Sequence, residues 1–129
     1  MNRAIVTAVV ALFALMSGAL AGSKVTPLIS KTFADLPGKE GLMITVDLPP
    51  GAGDPIHRHD AHVFVYVLEG AVRMQVKGGE EVTVSAGSTF YEAPSDIHVV
   101  GRNASDTAPA KMLVFMVKDV AKAPVLPAQ

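Results

Sequence analysis

The sequence contains no cysteine. No disulfide therefore braces the fold, and no thiol is present for lipid attachment. It also lacks a charge surplus, with 11 basic against 12 acidic residues and a net charge of −1. A chain so balanced has no basic footprint for nucleic acid or for an anionic membrane surface, and neither is expected as a partner. Internal repeats and low-complexity tracts are missing. After residue 21 no stretch shows helical periodicity, so the remaining signal belongs to strands and turns.

One long apolar run is present, from Ala4 to Met16, behind a basic start at Arg3. It falls short of the ~20 residues a membrane-spanning helix needs. The small residues of Ala19-Leu20-Ala21 follow it, which is the pattern of a cleaved export signal. Residues 1–21 are therefore predicted to be removed, leaving Gly22 as the new N-terminus of a periplasmic or secreted protein with no membrane attachment. The remaining 108 of the 129 residues suit a single domain. Only Arg3 is lost from the charge count, so 10 basic and 12 acidic residues remain.

Short apolar stretches punctuated by Gly, Pro and Asp fill that domain. Residues 43–48 alternate and stop at Pro49-Pro50-Gly51, and "HVFVYVL" (62–68) stops at Glu69-Gly70. In "AVRMQVK" Val72, Met74 and Val76 share one face, opposite Arg73, Gln75 and Lys77. Gly78-Gly79 predicts a two-residue hairpin turn into "EVTVS". Further strands are expected at "STFYE", "IHVVG" and "KMLVFMVK". Many short strands at close spacing predict an all-β sandwich or barrel. "HVFVYVL" and "MLVFMV" have no polar face, so each needs cover on two sides. A barrel interior supplies one side and a second copy of the chain the other, which predicts a homodimer. The tail, residues 119–129, holds too many prolines for a central strand. It is expected to wrap loosely over the surface or to be disordered.

Three of the four histidines fall within "HRHDAH", residues 57–62. Residues two apart on a strand face the same side, so His57 and His59 can hold one ion between them. His62 has the opposite parity and is read as a non-ligand, while Val63 points inward. His98 follows "FYEAPSDIH". If residues 93–97 connect a hairpin, Glu92 and His98 lie opposite one another and add an oxygen and a nitrogen donor. Tyr66 and Tyr91 are assigned to the core or an interface. Taken alone, a His-x-His pair is more often a surface feature than a metal site.

"GAGDPIHRHDAHVFVYVLEG" resembles the first cupin motif, with Gly51, His57, His59 and Gly70 in register. "GSTFYEAPSDIHVVGRN" resembles the second, through Gly87 and His98. The likeness spans residues 41–118, with an N-terminal strand or arm at 22–40. It implies a double-stranded β-helix, the jelly-roll barrel of RmlC-like cupins, holding one divalent transition metal (Fe, Mn, Ni, Zn or Cu) on His57, His59 and His98. The motif glutamate falls at Val63, and Glu92 is the candidate replacement. Ala93 and Ser95 stand at the second motif's Pro and Gly positions, with Pro94 and Asn103 each one place late. The resemblance implies a small-molecule metalloenzyme of the dioxygenase-like kind; a non-catalytic module holding a small molecule or metal is the alternative.

Overall fold

A computed structural model describes residues 22–129, and the predicted export segment, residues 1–21, lies outside the described residues. Among the described residues there are only strands and turns. In chain order the strands are β1 (Lys24–Thr32), β2 (Lys39–Leu48), β3 (His57–Arg58), β4 (Ala61–Glu69) and β5 (Ala71–Val76). They continue as β6 (Val82–Ser85), β7 (Thr89–Glu92), β8 (Ile97–Asn103), β9 (Ala110–Asp119) and β10 (Leu126–Pro127). One five-stranded sheet has the order β1-β2-β9-β4-β7, and the other β10-β3-β8-β5-β6. Neighbouring strands are antiparallel. The fold is an all-β jelly roll: the strand pattern implied the all-β class, and the cupin resemblance the jelly roll. Its two sheets face each other without a ladder joining them into a closed barrel.

The core lies between the sheets and follows the period of two. Along β4, Ala61, Val63, Val65 and Val67 are buried, while His62, Phe64, Tyr66 and Leu68 are exposed. Their β9 neighbours Met112, Val114 and Met116 are buried in the same layer. Leu48, Val67 and Val72 have no exposed surface, and each contributes ~1.5–3 kcal/mol by leaving water. β-Branched valines suit these positions because their stiff side chains pack well on a pleated face. The outer half of β4 has no cover among the described residues: Phe64 is 51% exposed and Tyr91 46%.

Two glycines permit local geometry that a side chain would block. Gly70 turns β4 into β5 at φ 68°, and a Cβ there would lie 2.6 Å from the Pro109 carbonyl. Gly101 lies against the His98 ring, where a Cβ would come within 2.7 Å of an imidazole carbon. Asn103 is buried, and its amide donates to the carbonyls of Leu48, Pro49 and Ala108. It pins the loop before β9.

Two turn expectations need correction. Gly78-Gly79 is not a two-residue hairpin; the connection from β5 to β6 spans residues 77–81, with the Gly79 N–H donating to Val76 O. The connection expected at 93–97, which spans 93–96, does not close a hairpin either. It carries the chain from β7 in one sheet to β8 in the other. The tail is ordered, as its two-residue strand β10 pairs with β3 at the sheet edge, Leu126 with Arg58 and Pro127 with His57. Proline is tolerated at such an edge because one side of the strand needs no N–H donor.

Candidate metal centre

His57 pairs directly with His98 across β3 and β8, and His59 follows two residues on. All three are at most 9% exposed. His57 Nδ1 lies 2.7 Å from Pro55 O, and His59 Nδ1 lies 2.7 Å from Pro124 O. A carbonyl only accepts, so both Nδ1 atoms carry the proton and both Nε2 lone pairs turn inward. These two Nε2 atoms are 3.1 Å apart, and His98 Nδ1 is 3.3 Å from His57 Nε2. One donor nitrogen from each ring lies within 4.8 Å of the others.

Two inward lone pairs at that separation repel unless a proton or a cation lies between them. A proton on His59 or His98 is disfavoured. Burial lowers the basicity of His59, and burial with the neighbouring imidazoles lowers His98 to about 4. A divalent ion fits better. Metal–nitrogen bonds of ~2.0–2.1 Å put adjacent ligands about 2.8–3.0 Å apart in octahedral and about 3.3–3.4 Å apart in tetrahedral geometry. The backbone carbonyls also fix ring orientation from behind, as outer partners of metal-bound histidines commonly do.

Glu92 enters this group from the other sheet. It is not the cross-strand neighbour of His98; it pairs with Val63 on β4. Its carboxylate nonetheless reaches 3.4 Å from His98 Nδ1 and 3.9 Å from His59 Nε2. Position 63 is where the first motif would carry glutamate, so the adjacent strand delivers a carboxylate beside the valine that replaces it. Glu92 is 2% exposed, and its Oε1 has no hydrogen-bond partner. Burial, with Asp96 adding repulsion, raises its pKa to about 7. An unpartnered carboxylate oxygen beside three inward imidazoles is a donor set that suits a cation.

The other residues singled out in the sequence lie elsewhere. His62 faces outward, and its Nδ1 is 2.6 Å from the Tyr91 hydroxyl. Phe64, Tyr66, Tyr91, Leu113 and Phe115 line a shallow groove of about 540 Å³ on that outer face. Three contributions to the site escaped the sequence reading. Asp54 lines the inner cavity and accepts a 2.5 Å hydrogen bond from Ser23 Oγ, which latches the N-terminal arm beside the site. Pro55 and Pro124 act through their backbone carbonyls, a group every residue has, so no residue type signals them. The approach to the tail is tied down at Asp60, a non-glycine residue at φ 49°. Its carboxylate pairs with Arg58 and with Lys122.

The family described as cupin domain matches residues 44–116. No curated protein matches the chain. Among solved structures, TT1209 from Thermus thermophilus is 26% identical, over 75% of this chain and 84% of that one, with a TM-score of 0.59. A recombinant oxalate oxidase in complex with glycolate is 27% identical over 82% of this chain, with a TM-score of 0.62. The DMSP lyase DddQ from Ruegeria pomeroyi DSS-3, at 24% identity over 69% of this chain and a TM-score of 0.60, shares the fold. This chain covers 55% of the oxalate oxidase chain and 45% of the lyase, about half the length of each.

Proposed function

This chain belongs to the cupin domain family, and on that premise we propose that it is an exported metal-binding cupin acting on a small molecule. One divalent transition metal (Fe, Mn, Ni, Zn or Cu) is held by His57, His59 and His98, with Glu92 as fourth ligand. The observation that carries this reading is the 3.1 Å approach of two inward Nε2 atoms whose outer nitrogens are already committed to carbonyls. The unpartnered Glu92 oxygen supports it. Imidazoles with one carboxylate suit any of these ions. When bound, the metal supplies a Lewis-acid or redox centre with coordination positions left for substrate.

We further propose a dioxygenase-like reaction; the likeness to an oxalate oxidase supports oxygen-dependent chemistry on a small substrate. In this scheme Pro55 and Pro124 orient the imidazoles, Glu92 offsets the charge of the cation, and the valine and methionine walls exclude water. A second reading, a non-catalytic module that retains the metal or a small molecule, is favoured by the absence of any lysine, serine or threonine from the cavity wall among the described residues. The exposed outer face of β4 and β7 is proposed to be covered by a second copy of the chain.

The test is metal content. Protein purified from its native compartment should contain about one equivalent of metal, and His57→Ala, His59→Ala or His98→Ala should lose most of it. His62→Ala should keep it, because His62 faces the opposite side. Equal metal in His57→Ala and the unaltered protein would refute the site. Oxygen uptake across a panel of small substrates then separates the enzyme from the binding module.

A further inference from the structure

Four methionines follow residue 21, at positions 43, 74, 112 and 116. Met74, Met112 and Met116 all line the cavity that holds the three imidazoles and Glu92. Each of the three is at most 6% exposed, whereas Met43 is half-buried beside Phe115 on the outer face. Methionine often serves only to fill irregular gaps in a core. Here the strand register ties two of them to the site. Met116 pairs with Val63, and Val63 pairs with Glu92 on its other side, so the three share one row of the inner face. Met74 pairs with Gly101, the residue against which the His98 ring lies. Met112 pairs with Val46 and Val67 instead, about 13 Å from Met116 along β9. The cavity opens past Val25 and Val125, both more than half exposed. A small neutral oxidant such as hydrogen peroxide therefore has a path to the centre.

We infer that Met74 and Met116 are modification sites, whose thioethers intercept peroxide activated at the metal centre, become sulfoxides and so spare the imidazoles. The inference rests on the metal-centre reading and adds a fate for oxidants that reach it. In the net step a sulfur lone pair takes one oxygen atom from hydrogen peroxide. The O–O bond breaks, the sulfur is oxidised by two electrons, and the second oxygen leaves as water with both protons. The metal ends in its starting state. No cysteine competes, because the chain has none. The valines and isoleucine of the wall offer no lone pair. A methionine sulfoxide can be reduced back by enzymes, whereas an oxidised imidazole is a lost ligand.

The experiment uses the mature protein loaded with copper(II), or with zinc(II), which has no redox chemistry. Metal content is measured first. Both samples then receive the same concentration of hydrogen peroxide, and peptide masses are followed over time. Sulfoxide at Met74 and Met116 should form about tenfold faster with copper than with zinc, and at Met43 equally fast in both. Leucine keeps the volume of methionine, so the double variant Met74→Leu, Met116→Leu should load copper as the unaltered protein does. In that variant oxidation should move to His57, His59 and His98, and peroxide should release copper about threefold sooner. Equal sulfoxide rates with copper and zinc would overturn the inference, as would histidine oxidation that the leucines leave unchanged. The copper–zinc comparison needs no variant, so it decides even where the leucine pair misfolds. One equivalent of copper with no added sulfoxide at Met74 or Met116 refutes the inference alone. Should neither metal load, the metal-centre reading fails and the inference with it.

Discussion

Glu92→Gln should move the stability of the metal-free protein and its affinity for metal in opposite directions. Burial raises the Glu92 pKa from 4.5 to about 7. Between those values the native state keeps a proton that the unfolded chain releases. Its contribution is therefore fully present below pH 4.5 and is lost as pH rises to 7. At 1.36 kcal/mol per unit the loss comes to roughly 3 kcal/mol. His98 works the other way, since its pKa falls from 6.5 to about 4. Folding excludes a proton that the unfolded chain takes up below pH 6.5, so stability is lost as pH falls toward 4. In the unaltered protein these slopes oppose one another between pH 4.5 and 6.5, and the lowered basicity of His59 acts with that of His98. Glutamine removes only the first. The stability difference, Glu92→Gln minus unaltered, should rise by about 3 kcal/mol between pH 4.5 and 8. Urea unfolding followed by circular dichroism, with chelator present, measures it at each pH. With metal restored, the uncharged amide should bind the ion on the order of tenfold more weakly. A stability difference that does not change with pH would show that Glu92 ionises normally and that the desolvation argument is wrong.

Removal of residues 124–129 deletes the carbonyl that orients His59 and should weaken metal binding about 10- to 100-fold; Pro124→Ala keeps a carbonyl there and should weaken it much less, both read by competition with a chromogenic chelator. The export reading expects Gly22 as the N-terminus of native protein by mass spectrometry, and an intact Met1 in an inner-membrane fraction would contradict it. Phe64→Asp on the exposed outer face should shift sedimentation from twice the mature mass to one, with metal content unchanged. A monomer before substitution would mean that no second copy covers this face.

Most of the strand positions were legible because the period of two is strong here. The valines of β4 and Val72 and Met74 of β5 repeat it, and it puts His57 on the inner face; His59, one residue past the end of β3, stays on that side. The Glu92–His98 relationship was not legible. A Pro-Ser-Asp connection looks the same whether it folds a hairpin back or carries the chain to a facing sheet, and only the partners of β7 and β8 decide. Glu92 thus arrives near the imidazoles for a different reason from the one its spacing suggested. Gly78-Gly79 misled in a simpler way, since glycine pairs permit a tight turn without requiring one. The tail was read from its prolines alone, which argue against a central strand and say nothing about an edge.

The hydrogen bond from His59 to Pro124 joins positions 65 residues apart, and its effect runs in both directions. Coupling between two binding events is reciprocal. Whatever the docked tail contributes to metal affinity, bound metal must return to the tail as resistance to detachment. Amide hydrogens of the β10 segment should therefore exchange more slowly in the metal-loaded protein, and proteases should cut at 120–124 less readily. A chelator would then loosen the sheet edge as well as empty the interior, making the tail an external reporter of what the buried histidines hold.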